Sequence, residues 1–139
     1  MECVLLHRFM GKNKLRRFAE MKLWDNVFEP TLEANPQDAF PLKGKWNTDY
    51  FKNSNPIVLE LGCGKGEYSV GLAKHYPNKN FIGVDIKGSR MFVGAKEALD
   101  ENLANVAFLR TKIDFIDAYF EANEVDEIWL TFSDPQPLK

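Results

Sequence analysis

An apolar run, Ile57-Val-Leu-Glu-Leu61, passes directly into Gly62-Cys-Gly-Lys-Gly66, and this junction constrains the chain more than any other stretch. A β-branched run that ends in alternate glycines reads as strand, tight loop and helix. Without Cβ atoms, Gly62, Gly64 and Gly66 let the loop take positive φ and approach a ligand closely. A helix opening near Glu67 would point its free N–H groups at that ligand. Two carboxylates narrow the chemistry: Glu60 stands just before the first glycine, and Asp85 ends the next apolar run, Phe81-Ile-Gly-Val-Asp85. An acidic residue at the end of a second strand suits the ribose diol of a nucleoside, and NAD satisfies that grip as well. The structural alternative is a generic glycine turn between a strand and a helix.

The order of elements supports a nucleotide-type fold. Strands are predicted at Ile57 to Glu60, Phe81 to Asp85, Val106 to Leu109 and Glu127 to Phe132, and helices at Glu67 to His75, about Ser89 to Glu101, and Ile113 to Ala122. Alternation of this kind implies an α/β fold: a parallel sheet with right-handed crossovers and helices on both faces. Ligands then bind at the carboxyl ends of the strands. Glu60, Asp85, the Arg110 to Asp114 turn and Asp134 all fall at or just after such ends. Asp134 precedes Pro135, which biases it towards an extended conformation, although an Asp there also suits a simple turn.

With 18 basic and 20 acidic residues in 139, the chain gives no global charge argument for nucleic acid, so local clusters must carry one. One such cluster is Lys12, Lys14, Arg16, Arg17 and Lys22, interleaved with Leu15, Phe18, Met21 and Leu23. It reads equally as a solvated helix, with Leu15, Phe18 and Lys22 on one face, or as an arm that meets phosphates. The proline-broken stretch from Phe28 to Asn55 reads as a covering segment. Its Lys43, Lys45, Trp46, Tyr50, Phe51 and Lys52 either pack that segment onto the core or present a nucleic-acid surface, and packing is the commoner use. Residues 1–55 are thus an arm and covering segment, and 56–139 the start of the main domain. Cys3 and Cys63, far apart, suit a reducing cytoplasm, and no apolar run is long enough to export or anchor the chain. His75, at a helix end, reads as a cap or surface residue, and His7 lies in a leader without periodicity. No metal is assigned.

The pattern Glu60-x-Gly62-x-Gly64-x-Gly66 resembles the cofactor loop of S-adenosylmethionine-dependent methyltransferases with a Rossmann-like sheet more than the G-x-G-x-x-G dinucleotide fingerprint. A carboxylate beside the loop favours a cationic sulfonium and repels a pyrophosphate. Together with Met10-Gly-Lys-Asn-Lys14, Asp85 followed by Lys87 and Arg90, and Phe132-Ser-Asp-Pro135, it resembles the bacterial tRNA (guanine-N7-)-methyltransferase family over nearly the whole chain from Met10. The resemblance implies a class I methyltransferase fold of which the first four strands are present, in the order 3-2-1-4 across the sheet. It implies S-adenosylmethionine as cofactor, held by Glu60, Gly62, Gly64, Gly66, Asp85 and Lys112, and tRNA as substrate, with Asp134 catalytic and Asp134 and Lys139 against the substrate. Gln136 and Leu138 depart from the family, which usually has Trp and Lys there. A methyltransferase with another substrate, or a cofactor-binding fragment, is the alternative. An exposed fourth strand would invite self-association, and the 139 residues alone are expected to bind cofactor weakly and not to methylate tRNA.

Overall fold

The computed structural model describes residues 13–30 and 39–131. Lys12, Asp134, Gln136, Leu138 and Lys139, with Cys3 and His7, lie outside the described residues.

Four predicted strands are present: β2 (Ile57–Leu61), β3 (Asn80–Asp85), β4 (Val106–Arg110) and β5 (Glu127–Leu130). A fifth, β1 (Val27–Phe28), was not anticipated. Two residues between the Asp25-Asn26 turn and Pro30 are too few to show a period, and the strand is fixed by pairing with Phe108 and Leu109 of β4. All pairings are parallel, and the order across the sheet is β1-β4-β3-β2-β5, which places the four predicted strands as 3-2-1-4. Every residue of β2 is buried, as expected of a strand covered on both faces.

Side chains sort by strand alternation. Val58, Phe81, Val106 and Phe108 point to one face and meet Val70 and Ala73 of α2 (Glu67–His75) and Met91, Phe92, Ala95 and Ala98 of α3 (Gly88–Asp100). Met21, from α1 (residues 13–21), joins this layer. Ile57, Leu59, Leu61, Ile82, Val84, Ala107 and Leu109 point to the other face, where Trp46, Phe51, Tyr119 and Phe120 cover them. Trp46 is fully buried and stacks on Phe120 at 5.4 Å between centroids. The aromatic residues of the covering segment therefore pack inward, while Lys45 and Lys52 stay outside.

Two local expectations are corrected. The helix predicted over Ile113 to Ala122 is a 3-10 helix, Ile113–Ala118. It ends early because the Trp46 indole N–H takes the Tyr119 carbonyl (2.9 Å), and the chain then turns through Asn123 at φ 67°. In α1, Leu15 is 71% exposed and Lys22 is exposed, so the inward face is instead Phe18 with Met21. The cause is the partner surface: Arg17 lies over the Phe92 ring and donates to the Ser89 carbonyl (3.3 Å), which turns α1 so that Leu15 faces out.

Candidate cofactor site

The loop between β2 and α2 crosses the carboxyl end of the sheet. Gly62, Gly64 and Gly66 have φ of 78°, 56° and 78°, the left-handed region expected of them. At Gly66 a Cβ would also lie 2.6 Å from the Phe108 ring, so the start of α2 could not settle on the sheet. At Gly62 it would lie 2.9 Å from the Thr131 carbonyl oxygen. Bare backbone is thus required for packing as well as for ligand approach.

Four of the loop's amides are tied within the protein, three of them to the end of β3. Gly62 and Cys63 N–H both donate to the Val84 carbonyl (2.8 and 3.0 Å), Gly66 N–H to the Cys63 carbonyl (2.9 Å), and Gly64 N–H to Asp85 Oδ2 (2.8 Å). Asp85 Oδ1 accepts from Lys87 N–H (2.9 Å), so this carboxylate braces the glycine loop against the β3–α3 turn.

A cavity of about 460 Å³ opens above the loop. It is lined by Glu60 and Thr131, by Gly62 to Lys65 of the loop, by Glu67 and Tyr68 of α2 and by Arg90 of α3. Glu60 is 4% exposed. Its Oε1 accepts from the Ser69 hydroxyl (2.7 Å) and its Oε2 from the Thr131 hydroxyl (2.8 Å). Burial pushes the Glu60 carboxyl above its ordinary range; the two hydroxyls pull it down, and the Asp85 charge pushes it further up. Burial, helped by the Asp85 and Glu60 carboxylates, holds the Cys63 thiol well above its usual range, which favours the neutral thiol. Among the described residues no group of three or more His, Cys, Asp or Glu could hold a metal.

The structure brings Glu60, Gly62 and Gly64 to one cavity. Gly66 caps α2 behind it. Asp85 is next to the loop, through Gly64, rather than on the cavity lining. Lys112 is exposed and lies beyond β4, just after Thr111, whose N–H donates to the Asp85 carbonyl (3.1 Å). Sequence reasoning missed Ser69, Thr131 and Tyr68. The signal for Thr131 was the strand order itself, since Leu130 beside Leu61 sets Thr131 against Gly62. His75 is exposed in the last turn of α2, a surface position.

Comparison with known proteins bears on this geometry. A family model described as "Putative methyltransferase" matches residues 54–139. The tRNA (guanine-N(7)-)-methyltransferase of Bacteroides fragilis is 59% identical over 130 residues, covering 94% of this chain and 52% of the relative. That of Christiangramia forsetii is 60% identical over 126 residues, covering 91% and 56%. The chain thus spans about half the length of the curated relatives it matches. Among solved structures, an antibiotic-related methyltransferase aligns with TM-score 0.59 at 20% identity over 70% of this chain and 51% of that one. A 30S ribosomal A1408 methyltransferase from an uncultured bacterium gives 0.51 at 19%, over 60% and 40%. The fold is therefore the Rossmann-like class I methyltransferase fold, and the chain belongs to the methyltransferase family whose model matches residues 54–139.

Proposed function

We propose that this protein transfers a methyl group from S-adenosylmethionine to N7 of a guanine in tRNA. The observation that carries the cofactor reading is the buried carboxylate of Glu60 among the residues that line the cavity at the glycine loop. Such a site favours a cation and disfavours a diphosphate, which argues against NAD. The residues present fit a nucleoside joined to a cationic amino-acid end: Glu60 with Gly62 and Gly64 takes that end, while Asp85, and Lys112 through its backbone, lie on the nucleoside side. When bound, the cofactor supplies a methyl group activated by a sulfonium.

Guanine N7 has a free lone pair, so the protein's task is in-line positioning more than proton removal. Methylation leaves positive charge on the purine, and Asp134 is assigned to orient the base and to stabilise that charge. Lys139 is assigned to a substrate phosphate. The substrate reading rests on the relatives' names and on the basic residues of α1. No helix among the described residues is long and apolar enough to cross a membrane, and a cytoplasmic location fits action on tRNA. Self-association through β5, at the edge of the sheet, is part of the same proposal.

Equilibrium binding of labelled S-adenosylmethionine and NAD tests the cofactor reading, with selective binding of the former expected. The chain is then incubated with unmodified tRNA and labelled S-adenosylmethionine beside a full-length curated relative, and 7-methylguanosine is sought by mass spectrometry. NAD binding, or product at a base atom other than N7 in the relative, would overturn the proposal.

A further inference from the structure

We propose that Thr131 is a positioning residue for the cofactor-binding carboxylate: its hydroxyl fixes Glu60 in the orientation that faces the glycine-loop cavity. This deepens the cofactor reading above and rests on it.

Glu60 sits on the face of β2 that otherwise carries Val58, inside a strand whose remaining residues are all apolar and buried. The sheet has no packing need for a carboxylate there, and burying one is costly unless it is hydrogen-bonded. Two hydroxyls meet that requirement from opposite sides, Ser69 from the first turn of α2 and Thr131 from the end of β5. Each hydroxyl takes one oxygen and the Ser69 N–H donates to the same carboxylate, so its plane is fixed while acceptor capacity remains for a ligand. Glu60 and Thr131 both line the cavity, so that capacity lies where a cationic ligand would dock.

Thr131 differs from Ser69 in having other acceptors within reach. Its Oγ1 is 2.8 Å from Glu60 Oε2, 3.2 Å from the Gly62 carbonyl and 3.4 Å from the Leu61 carbonyl. A hydroxyl has one hydrogen to donate, and a charged acceptor at the shortest distance takes it. Its own N–H donates to Leu61 O (3.2 Å), which ties the end of β5 to the entry of the glycine loop. One residue therefore joins the carboxylate, the loop and β5. The other ionisable groups around Glu60 are Cys63 and Lys65 of the loop, Glu67 and Tyr68 of α2, Asp85 of β3 and Arg90 of α3. All are unchanged by substitution at 131, so a difference between variants reports the hydroxyl.

The test compares the wild-type chain with T131V, which keeps the shape and loses the donor, and T131S, which keeps the donor. S-adenosylmethionine binding is measured by calorimetry from pH 5 to 8, and the Glu60 carboxyl is titrated by NMR without ligand. T131V should weaken binding at pH 7 by about tenfold, the scale of one hydrogen bond to a charged group. Its Glu60 should titrate at higher pH, with the acid limb of the binding profile moving the same way, and T131S should restore both. Wild type that binds no S-adenosylmethionine overturns the cofactor reading and this proposal with it. Wild type that binds while T131V matches it in affinity or in titration overturns this proposal alone. If T131V does not fold, T131A replaces it, and if neither folds the hydroxyl is structural and the proposal fails.

Discussion

Replacing Glu60 by Gln separates a ligand-binding carboxylate from a structural one, because the two roles move stability and affinity in opposite ways. Gln keeps the shape and two polar atoms for Ser69 and Thr131: one hydroxyl goes on donating to the amide oxygen, and the other rotates to accept from the amide NH2. What is lost is the charge. The folded pKa of Glu60 stands above its ordinary 4.5, because burial outweighs the hydrogen bonds. The folded chain therefore holds the proton longer than the unfolded chain as pH rises. Stability falls between 4.5 and the folded pKa and is level above it. Gln removes that fall, so Glu60→Gln should be at least as stable as wild type at pH 7 in urea unfolding, and the two curves should converge at low pH. Affinity should drop instead: a charge-assisted contact to the cofactor's cationic end is on the order of 1.5 to 3 kcal/mol, roughly ten- to hundredfold in Kd. Calorimetry with S-adenosylmethionine and with S-adenosylhomocysteine adds a distinction. An equal loss for both places Glu60 at the amino group, and a larger loss for the former places it at the sulfonium. Lower stability at pH 7 with unchanged affinity would refute the argument and leave Glu60 as a strut between α2 and β5.

Asp85→Asn should weaken S-adenosylmethionine binding by about 1 to 3 kcal/mol, since it removes a charged acceptor from the ribose side. It also disturbs the Gly64 and Lys87 contacts, so urea unfolding is measured beside calorimetry, and affinity lost only in proportion to stability would refute the ribose role. Replacing Lys14 and Arg16 by Gln should weaken tRNA binding and reduce its dependence on salt without affecting stability, because both side chains are exposed. Arg17→Gln should lower stability as well, because Arg17 packs over Phe92, and an unchanged salt slope in the double variant would leave α1 as a solvated face.

Much of this fold was legible because its signals are local. The β2 run, the three glycines and the span of α2 are each set by residues within one window, and the structure places α2 over Glu67–His75 as the periodicity predicts. What escaped depends on residues far apart. The Ser69–Glu60–Thr131 arrangement joins positions 9 and 71 residues apart, and its geometry needs the β2–β5 register. The same holds for β1, whose two residues form a strand only because β4 lies beside them, and for the early end of the 3-10 helix, where Trp46 claims a carbonyl 73 residues away. Asp85 was legible as a carboxylate at a strand end, but its second task, bracing Gly64, belongs to the folded loop.

The β5 run makes the opposite case, where similarly apolar runs have unequal burial. Ile128-Trp-Leu130 is as apolar as the β2 run, yet its side chains are 57%, 41% and 62% exposed while all of β2 is buried. Among the described residues β5 lies at the edge of the sheet and pairs with β2 alone, and the side chains of Ile128, Trp129 and Leu130 are left uncovered. An apolar strand with one free edge is a template for another strand, and lysines blunt such edges. Sedimentation velocity on the chain should therefore show concentration-dependent association. Ile128→Lys with Leu130→Lys should reduce it, while S-adenosylmethionine binding changes little, because neither side chain lines the cavity. A wild-type chain that stays monomeric at every concentration, or a double variant that associates as strongly, would show that the exposed face of β5 is not what brings chains together.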